Sequence, residues 1–544
     1  MNSQKRWGVF PLVAVLALAG CARRDQAPQP AGKQVLRISQ RNEPADLDPA
    51  IASLPDEFFI IRALSEGLVI PAPDGEAVLP ASAARWDVSP DHLSYIFHLR
   101  FDERWSNGEP VTADDFLESY RRALSPGTAA PKAALFFPVK NAREFLSGSL
   151  DDFRSVGLKA PNPHTLVVTL ARPMLPSEFL LYAASGPWIP VNPRTVSRLG
   201  RRWTRPGNFV GNGAYILTEW LPNQRITVAP NPLYRGAAQI RLAAIQFVRF
   251  DDEDGEERAY RAGQVDVTMK VPTERIETYA RERPAELHRA PLAETRYLSF
   301  NTSRPALKDP RIRRALSLAL DRRRIVNNVL RGGQEPAGQL IPAAISAGAP
   351  GNSPFQMPEH NPAEARRLLA AAGYPEGRNF PRLELAGWSS TPVLEAIQAM
   401  WKKELGIDAA IVIREARAHV AALRLGEYDV GFITLIPDVA NPISILEDFT
   451  TGSPNNYPQW SDAVFDGLVS QAAAASDPAE IKRLLRAAES RLLIEAPLAP
   501  VYFNSKNWVM GTYVHGWHED ALWTRYYVDL WMDGTGAPAE SKGR

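Results

Sequence analysis

The sequence predicts an α/β protein of two or three domains, on three observations. The chain has 544 residues, and single hydrophobic cores stop growing at about 250–300 residues. Short strand-like runs alternate with helical runs, the pattern of sheets covered by helices. The 47 prolines and 35 glycines favour many ordered loops between those runs.

Each element has a local reason. Val35-Leu36-Arg37-Ile38 and the runs 95–100 and 165–170 are rich in β-branched and aromatic residues and read as strands. Thr112, followed by Asp114 and Asp115, is an N-cap with acids facing the positive helix end, opening a helix to about residue 123. The runs 213–217 and 225–228 bracket Pro222-Asn223 and form a hairpin. Asp309-Pro310 opens a helix expected to reach about residue 330, where Gly332-Gly333 ends it. Further helices span Asn361-Pro362 to Ala372, residues 393–405, and Asp477-Pro478 to about Ile494. Short strands at 383–386, 407–413, 429–434 and 501–503 alternate with them.

Composition and motifs exclude several functions. The 62 basic and 61 acidic residues leave a net charge of +1, so nothing draws the chain to nucleic acid or anionic lipid. One cysteine rules out an intrachain disulfide framework, zinc ribbon or iron–sulfur cluster. No P-loop, Gly-x-Ser-x-Gly elbow or His-Glu-x-x-His pair occurs. His515 and His518 stand before Glu519 and Asp520; the intervening Gly516 and lack of helical context favour a surface loop over a metal site. Six acids between 251 and 257 lack the glycine offset of an EF-hand and read as a solvated loop. Arg311, Arg313, Arg314, Arg322, Arg323 and Arg324 share their expected helix with Ile312, Leu316, Leu320 and Ile325, which reads as a solvated face opposite a buried stripe. No cofactor and no metal site is expected.

At the N-terminus, Lys5 and Arg6 precede an apolar stretch over 8–19. It is short for a membrane span and has the layout of an export signal. Leu18-Ala19-Gly20-Cys21 resembles the lipobox of bacterial lipoproteins. That resemblance implies removal of residues 1–20 and thioether lipidation of Cys21; an ordinary signal with a stray cysteine is the alternative. Residues 21–32, with Pro28, Pro30 and Gly32, read as a flexible tether.

Trp105-Ser106-Asn107-Gly108-Glu109-Pro110-Val111-Thr112-Ala113-Asp114-Asp115-Phe116 closely resembles the extracellular solute-binding proteins of bacterial peptide importers, family 5. The likeness continues in order through Leu47-Asp48-Pro49, Glu66-Gly67-Leu68, Asn212-Gly213-Ala214-Tyr215 and the stretches 260–266, 309–316, 365–374 and 424–429. The resemblance implies a periplasmic-binding-protein-like fold of the large, class II, peptide-binding type. Lobe I would comprise 33–65, 194–291 and 506–537, an inserted third domain 66–193, and lobe II 292–505. Chain crossings near 291 and 505 would be the hinge. The implied role is that of a monomeric, lipid-anchored periplasmic component of an ATP-binding-cassette importer. It would capture oligopeptides in the interlobe cleft and deliver them to a permease with its ATPase subunits, without enzymatic activity. Nickel complexes, sugars and haem remain alternative ligands on the same fold, and an envelope hydrolase is a more distant one.

The resemblance also implies site residues. Asp438 falls on the carboxylate that receives the peptide amine; a turn or capping aspartate is the alternative. Thr434 and Ile436 would offer backbone groups, Leu54 and Pro55 would face them from the other lobe, and Tyr297 and Asn504 would line the cleft. Three positions depart from the oligopeptide-binding proteins. Asn504 stands where they carry tyrosine, Phe432 where an arginine can meet a peptide carboxylate, and Leu435 where a pocket tryptophan lies. Arg424 is the candidate replacement for that arginine, with a solvated helix-end residue as the alternative.

The anchoring expectation has a direct check. Cys21→Ser is expected to move the protein from the membrane to the soluble fraction; retention on membranes after a salt wash would contradict a lipid anchor.

Overall fold

The computed structural model describes residues 34–72, 77–345, 360–388 and 392–533. Cys21, the signal and the tether lie outside them. Three principal sheets organise the chain. The first has the strand order Val35–Gln40, Ala244–Arg249, Arg225–Pro230, Tyr215–Leu221. The chain leaves this sheet after Gln40 and returns at Tyr215. In between it builds an antiparallel sheet in the order Ala83–Val88, Ser94–Leu99, Thr165–Thr169, Leu158–Asn162. The third sheet has six strands, in the order Glu335–Pro336, Leu498–Val509, Leu287–Phe300, Val430–Leu435, Leu383–Gly387, Ala409–Ile413.

Side-chain alternation explains where the cores lie. In the second sheet Tyr95, Phe97 and Leu99 point one way and pack on Phe116 and Tyr120 of the helix Ala113–Leu124. Asp115, three residues into the capping turn, accepts a hydrogen bond from Thr112 N at 2.9 Å and another from Trp105 Nε1 at 3.1 Å. The third sheet is covered on both faces. Leu298, Phe300, Val430 and Phe432 enter one apolar cluster, and Tyr297, Ile433 and Leu435 the other. That is why 430–435 reads as a nearly unbroken apolar run.

Two strands exceed the rest in length. Leu287–Phe300 and Leu498–Val509 pair antiparallel, with a register irregularity between Pro291 and Thr295. At one end Leu298 packs in the third sheet's core; at the other Trp508 joins the first sheet's core, and Met510 bridges to Val267. Only 501–503 of this pair was expected as strand.

The helix starts follow their caps. Asp309, Asn361 and Asp477 each accept a backbone N–H at the heads of Pro310–Leu318, Pro362–Ala371 and Pro478–Glu495. Two expectations need correction. The helix after Asp309 stops at Leu318, and Asp321 caps a new turn, Arg322–Arg324, that passes into a π-helical Ile325–Leu330. Its arginine face is not wholly solvated. Arg313 Nε donates to the Ala496 carbonyl at 2.9 Å and Arg322 Nε to that of Pro500 at 2.7 Å, both from buried positions. The acidic run is likewise not a solvated loop. Asp252 caps the helix Glu253–Arg261, and buried Glu256 accepts from Ser39 Oγ and Met269 N, each at 2.9 Å. Counting charges along a chain cannot show which of them meet buried donors and acceptors.

A buried polar knot joins the first and second sheets. Asn212 Nδ2 donates to the Glu66 carbonyl oxygen at 3.1 Å and to Glu103 Oε1 at 3.0 Å. Arg235 Nη2 lies 2.5 Å from Glu66 Oε2 and Arg235 Nη1 3.9 Å from Glu103 Oε1. A Cβ on the neighbouring Gly213 would come within 2.5 Å of the Leu64 backbone, so only glycine permits this approach. Burial, then the nearby Glu66 carboxylate, pushes Glu103 up from 4.5 to about 7. The folded chain therefore holds this proton more tightly than the unfolded chain does. The stability that results is full below about pH 4.5 and is lost as pH rises through about 7. Between pH 5 and 8 this group is expected to cost about 2 kcal/mol. Glu103→Gln is expected to flatten that part of the profile, as read by urea unfolding at both pH values; an unchanged slope would place the titration elsewhere.

Candidate ligand-binding site

After the strand Val430–Leu435 the chain turns at Pro437, which has no N–H to continue the ladder. Asp438 follows, and Val439 is buried in the second sheet's core. The loop thus reaches from the third sheet to the second. Facing it are Pro55, Phe58, Phe59 and Arg62 of the helix Pro55–Leu64. Lys132 and Leu135 form another wall, and Asp520 to Thr524 a third. Together they bound a cavity of about 140 Å³. Water occupies about 30 Å³ per molecule in the liquid, and pockets for small ligands run to about 300–1,000 Å³. A peptide therefore requires these walls to part.

Each charged group of the cavity has a polar partner. Asp438 Oδ1 meets the Lys132 ammonium across the gap. Lys132 precedes the short turn Ala133–Phe136, whose Phe136 is fully buried and holds that wall in place. Arg62 Nη2 donates to the Ala184 carbonyl at 3.0 Å, and burial pulls its guanidinium below the ordinary arginine range. Asp520 Oδ1 accepts from Leu522 N at 2.9 Å and Thr524 N at 2.8 Å, while burial pushes its carboxyl up. Behind the loop, burial raises Asp448 to about 6, opposed by the Asn455 hydrogen bond and reinforced by the Asp438 charge.

The aromatic wall rests on a second set of buried charges. Lys506 Nζ lies 4.8 Å from the Trp523 ring and 4.7 Å from that of Trp508, attractive placements for a cation. Lys506 and Glu519 pair with side chains 1% and 5% exposed. Arg525 Nε is 3.6 Å from Glu519 Oε1, and its guanidinium sits 3.9 Å from the Phe59 ring. Trp523 has a left-handed backbone, φ 68°, uncommon for a non-glycine residue; its N–H donates to the Asp520 carbonyl at 3.1 Å, closing the turn.

The expected residues divide in this geometry. Pro55, Ile436 and Asp438 line the cavity. Leu54 is exposed beside Pro55. Thr434 lies on the strand just before the loop, its Oγ1 buried with no hydrogen-bond partner among the described residues. Tyr297, Phe432 and Leu435 are not cavity-lining; each is buried in a core of the third sheet. Asn504 is half-buried, its Oδ1 accepting from Ser505 N at 3.1 Å, and also lies outside the lining. Arg424 is exposed at the end of the helix Ala416–Leu425, near Tyr457. Lys132, Arg62 and Trp523 were not anticipated. Nothing in their neighbouring sequence sets Lys132 or Arg62 apart, since each is brought to the cavity by a different body. The surface-loop reading of 515–520 is corrected at Glu519, whose side chain is buried by Lys506 and Arg525. Among the described residues no three His, Cys, Asp or Glu side chains converge as metal ligands, and no helix is long and apolar enough to cross a membrane.

The family model for bacterial extracellular solute-binding proteins, family 5, matches residues 77–457. The periplasmic murein peptide-binding protein MppA of Escherichia coli is 31% identical, covering 94% of this chain and 96% of its own. The probable deoxycholate-binding periplasmic protein YgiS of the same organism is 33% identical, over 89% and 91%. Among solved structures, the Haemophilus influenzae oligopeptide-binding protein OppA in complex with RPPGFSPFR superposes with a TM-score of 0.77 at 28% identity, covering 92% and 99%. The chain belongs to the bacterial extracellular solute-binding proteins, family 5.

The charge cluster behind the cavity makes an asymmetric prediction. One carboxylate, Glu519, serves two cations. Glu519→Gln leaves both without it and is expected to cost about 3–5 kcal/mol. Lys506→Met leaves Glu519 with Arg525 and is expected to cost only about 1–2 kcal/mol. Urea unfolding of both variants checks the order.

Proposed function

We propose that this solute-binding protein captures oligopeptides between its bodies and delivers them to a membrane permease served by separate ATPase subunits. It acts as a monomer in the periplasm, held to a membrane by lipid on Cys21, and performs no chemistry on its ligand. The observation that carries the peptide reading is Asp438, a cavity carboxylate that already holds an ammonium group, that of Lys132. A peptide amine has the same charge and hydrogen-bonding capacity, and a buried ammonium without a partner is costly. The names of the relatives support the same class of ligand.

The motion proposed is closure about the crossings near 291 and 505. It is supported by the paired long strands, whose register breaks just after Pro291 opposite Ser505. The partition into 33–65, 194–291 and 506–537, the insertion 66–193 and the body 292–505 is supported by the way the chain leaves and re-enters the first sheet. A second reading, an amphipathic carboxylate ligand, draws on the deoxycholate-binding relative and on Phe58, Phe59 and Trp523 beside two cavity cations.

Calorimetry on native and Asp438→Asn protein, with free and N-acetylated forms of one peptide, tests the amine anchor. Where closure on the peptide desolvates the Asp438–amine pair, removing one member costs about 2–5 kcal/mol, so the free peptide is expected to lose roughly thirtyfold to several-thousandfold in affinity. The acetylated peptide is expected to bind native protein weakly and to lose much less. Near-equal losses would assign Asp438 to the fold or hinge. Deoxycholate binding unaffected by Asp438→Asn, with no peptide binding, would favour the second reading.

A further inference from the structure

The peptide reading leaves one charge without a partner, and resting on that reading, we propose that Lys132 selects peptides that carry an acidic side chain in their first two residues. Among the described residues Lys132 has one ion pair, with Asp438. The two lie 306 positions apart in sequence and on separate bodies. The side chains are 22% and 49% exposed, so the pair sits at the cavity rim with water on one side. A peptide amine that takes Asp438 places two ammonium groups on one carboxylate. The like charges repel at short range, and one positive charge remains in a narrow, partly desolvated space. A ligand carboxylate beside Lys132 restores neutrality.

Its position follows from reach. Lys132 and the peptide amine approach the same Asp438 carboxylate, so the compensating acid must lie within a few bonds of the peptide's N-terminus. A side chain on the first or second residue meets that condition, and the terminal carboxylate of a long peptide does not. The other cavity cation, Arg62, is turned to the Ala184 carbonyl and stands near Asp520, so it does not compete for that acid. Neutral peptides would have to break the Lys132–Asp438 pair without replacing it. Lys132 thus sets specificity by penalising neutral ligands as well as by attracting acidic ones.

The tripeptides Ala-Glu-Ala and Ala-Gln-Ala, titrated into native, Lys132→Met and Lys132→Arg proteins, test this. Native protein is expected to prefer the glutamate peptide by about two- to fivefold, the range of one partly exposed charge pair. Lys132→Met is expected to abolish that preference, weakening the glutamate peptide and tightening the glutamine one. Lys132→Arg is expected to keep it. An equal preference ratio in native and Lys132→Met proteins would overturn the proposal while leaving the peptide reading intact. Native protein that binds neither tripeptide, nor longer peptides with free amines, would overturn the peptide reading and this proposal with it.

Discussion

The pairing of Leu287–Phe300 with Leu498–Val509 is the constraint on which the rest of this structure depends. The two strands belong to the third sheet at one end and pack against the first sheet's body at the other. The backbone hydrogen bonds of this ladder tie the two bodies together. Pro291 removes one donor where the register breaks. The cavity walls lie on elements that this ladder brings together, and residues near positions 60, 130, 440 and 520 meet there.

A second principle is the handling of buried charge. Glu66, Glu103 and Arg235 share one knot between the first two sheets, and Lys506, Glu519 and Arg525 share another under the cavity. In each, unlike charges are unequal in number, two acids to one base in the first and two bases to one acid in the second. Losing any one member therefore changes the balance for the others. Such clusters are weak sources of net stability, yet breaking one by removing a partner is costly. Here the second one sets the rings of Phe59 and Trp523 against the cavity. The cavity's own pair, Lys132 with Asp438, differs in kind. It is partly exposed and spans two bodies, so it can open at modest cost.

Much of the architecture was legible along the chain because its causes are local. The pairs Asp309-Pro310, Asn361-Pro362 and Asp477-Pro478 opened helices because a side-chain oxygen satisfies a first-turn N–H and proline lacks one. The Trp105 to Phe116 motif marked the family because its tryptophan, threonine and aspartate clamp one helix start. Of the cavity lining, Pro55, Ile436 and Asp438 could be named beforehand from what the family resemblance implied for their positions.

The sequence by itself therefore determined the α/β class, the helix starts at Thr112, Asp309, Asn361 and Asp477, the family and three residues of the cavity lining. Tertiary structure alone decided the partners. Lys132 and Asp438 meet across 306 positions, Lys506 is enclosed by Trp508 and Trp523, and Arg313 and Arg322 turn inward to carbonyls of the distant segment 496–500. The long strand Leu287–Phe300 carries Pro291, Glu294 and Arg296 and no alternation to announce it. Periodicity and capping act within a few residues, whereas the energy of a charge or a strand depends on what is packed opposite it, and that is settled only when separate bodies come together.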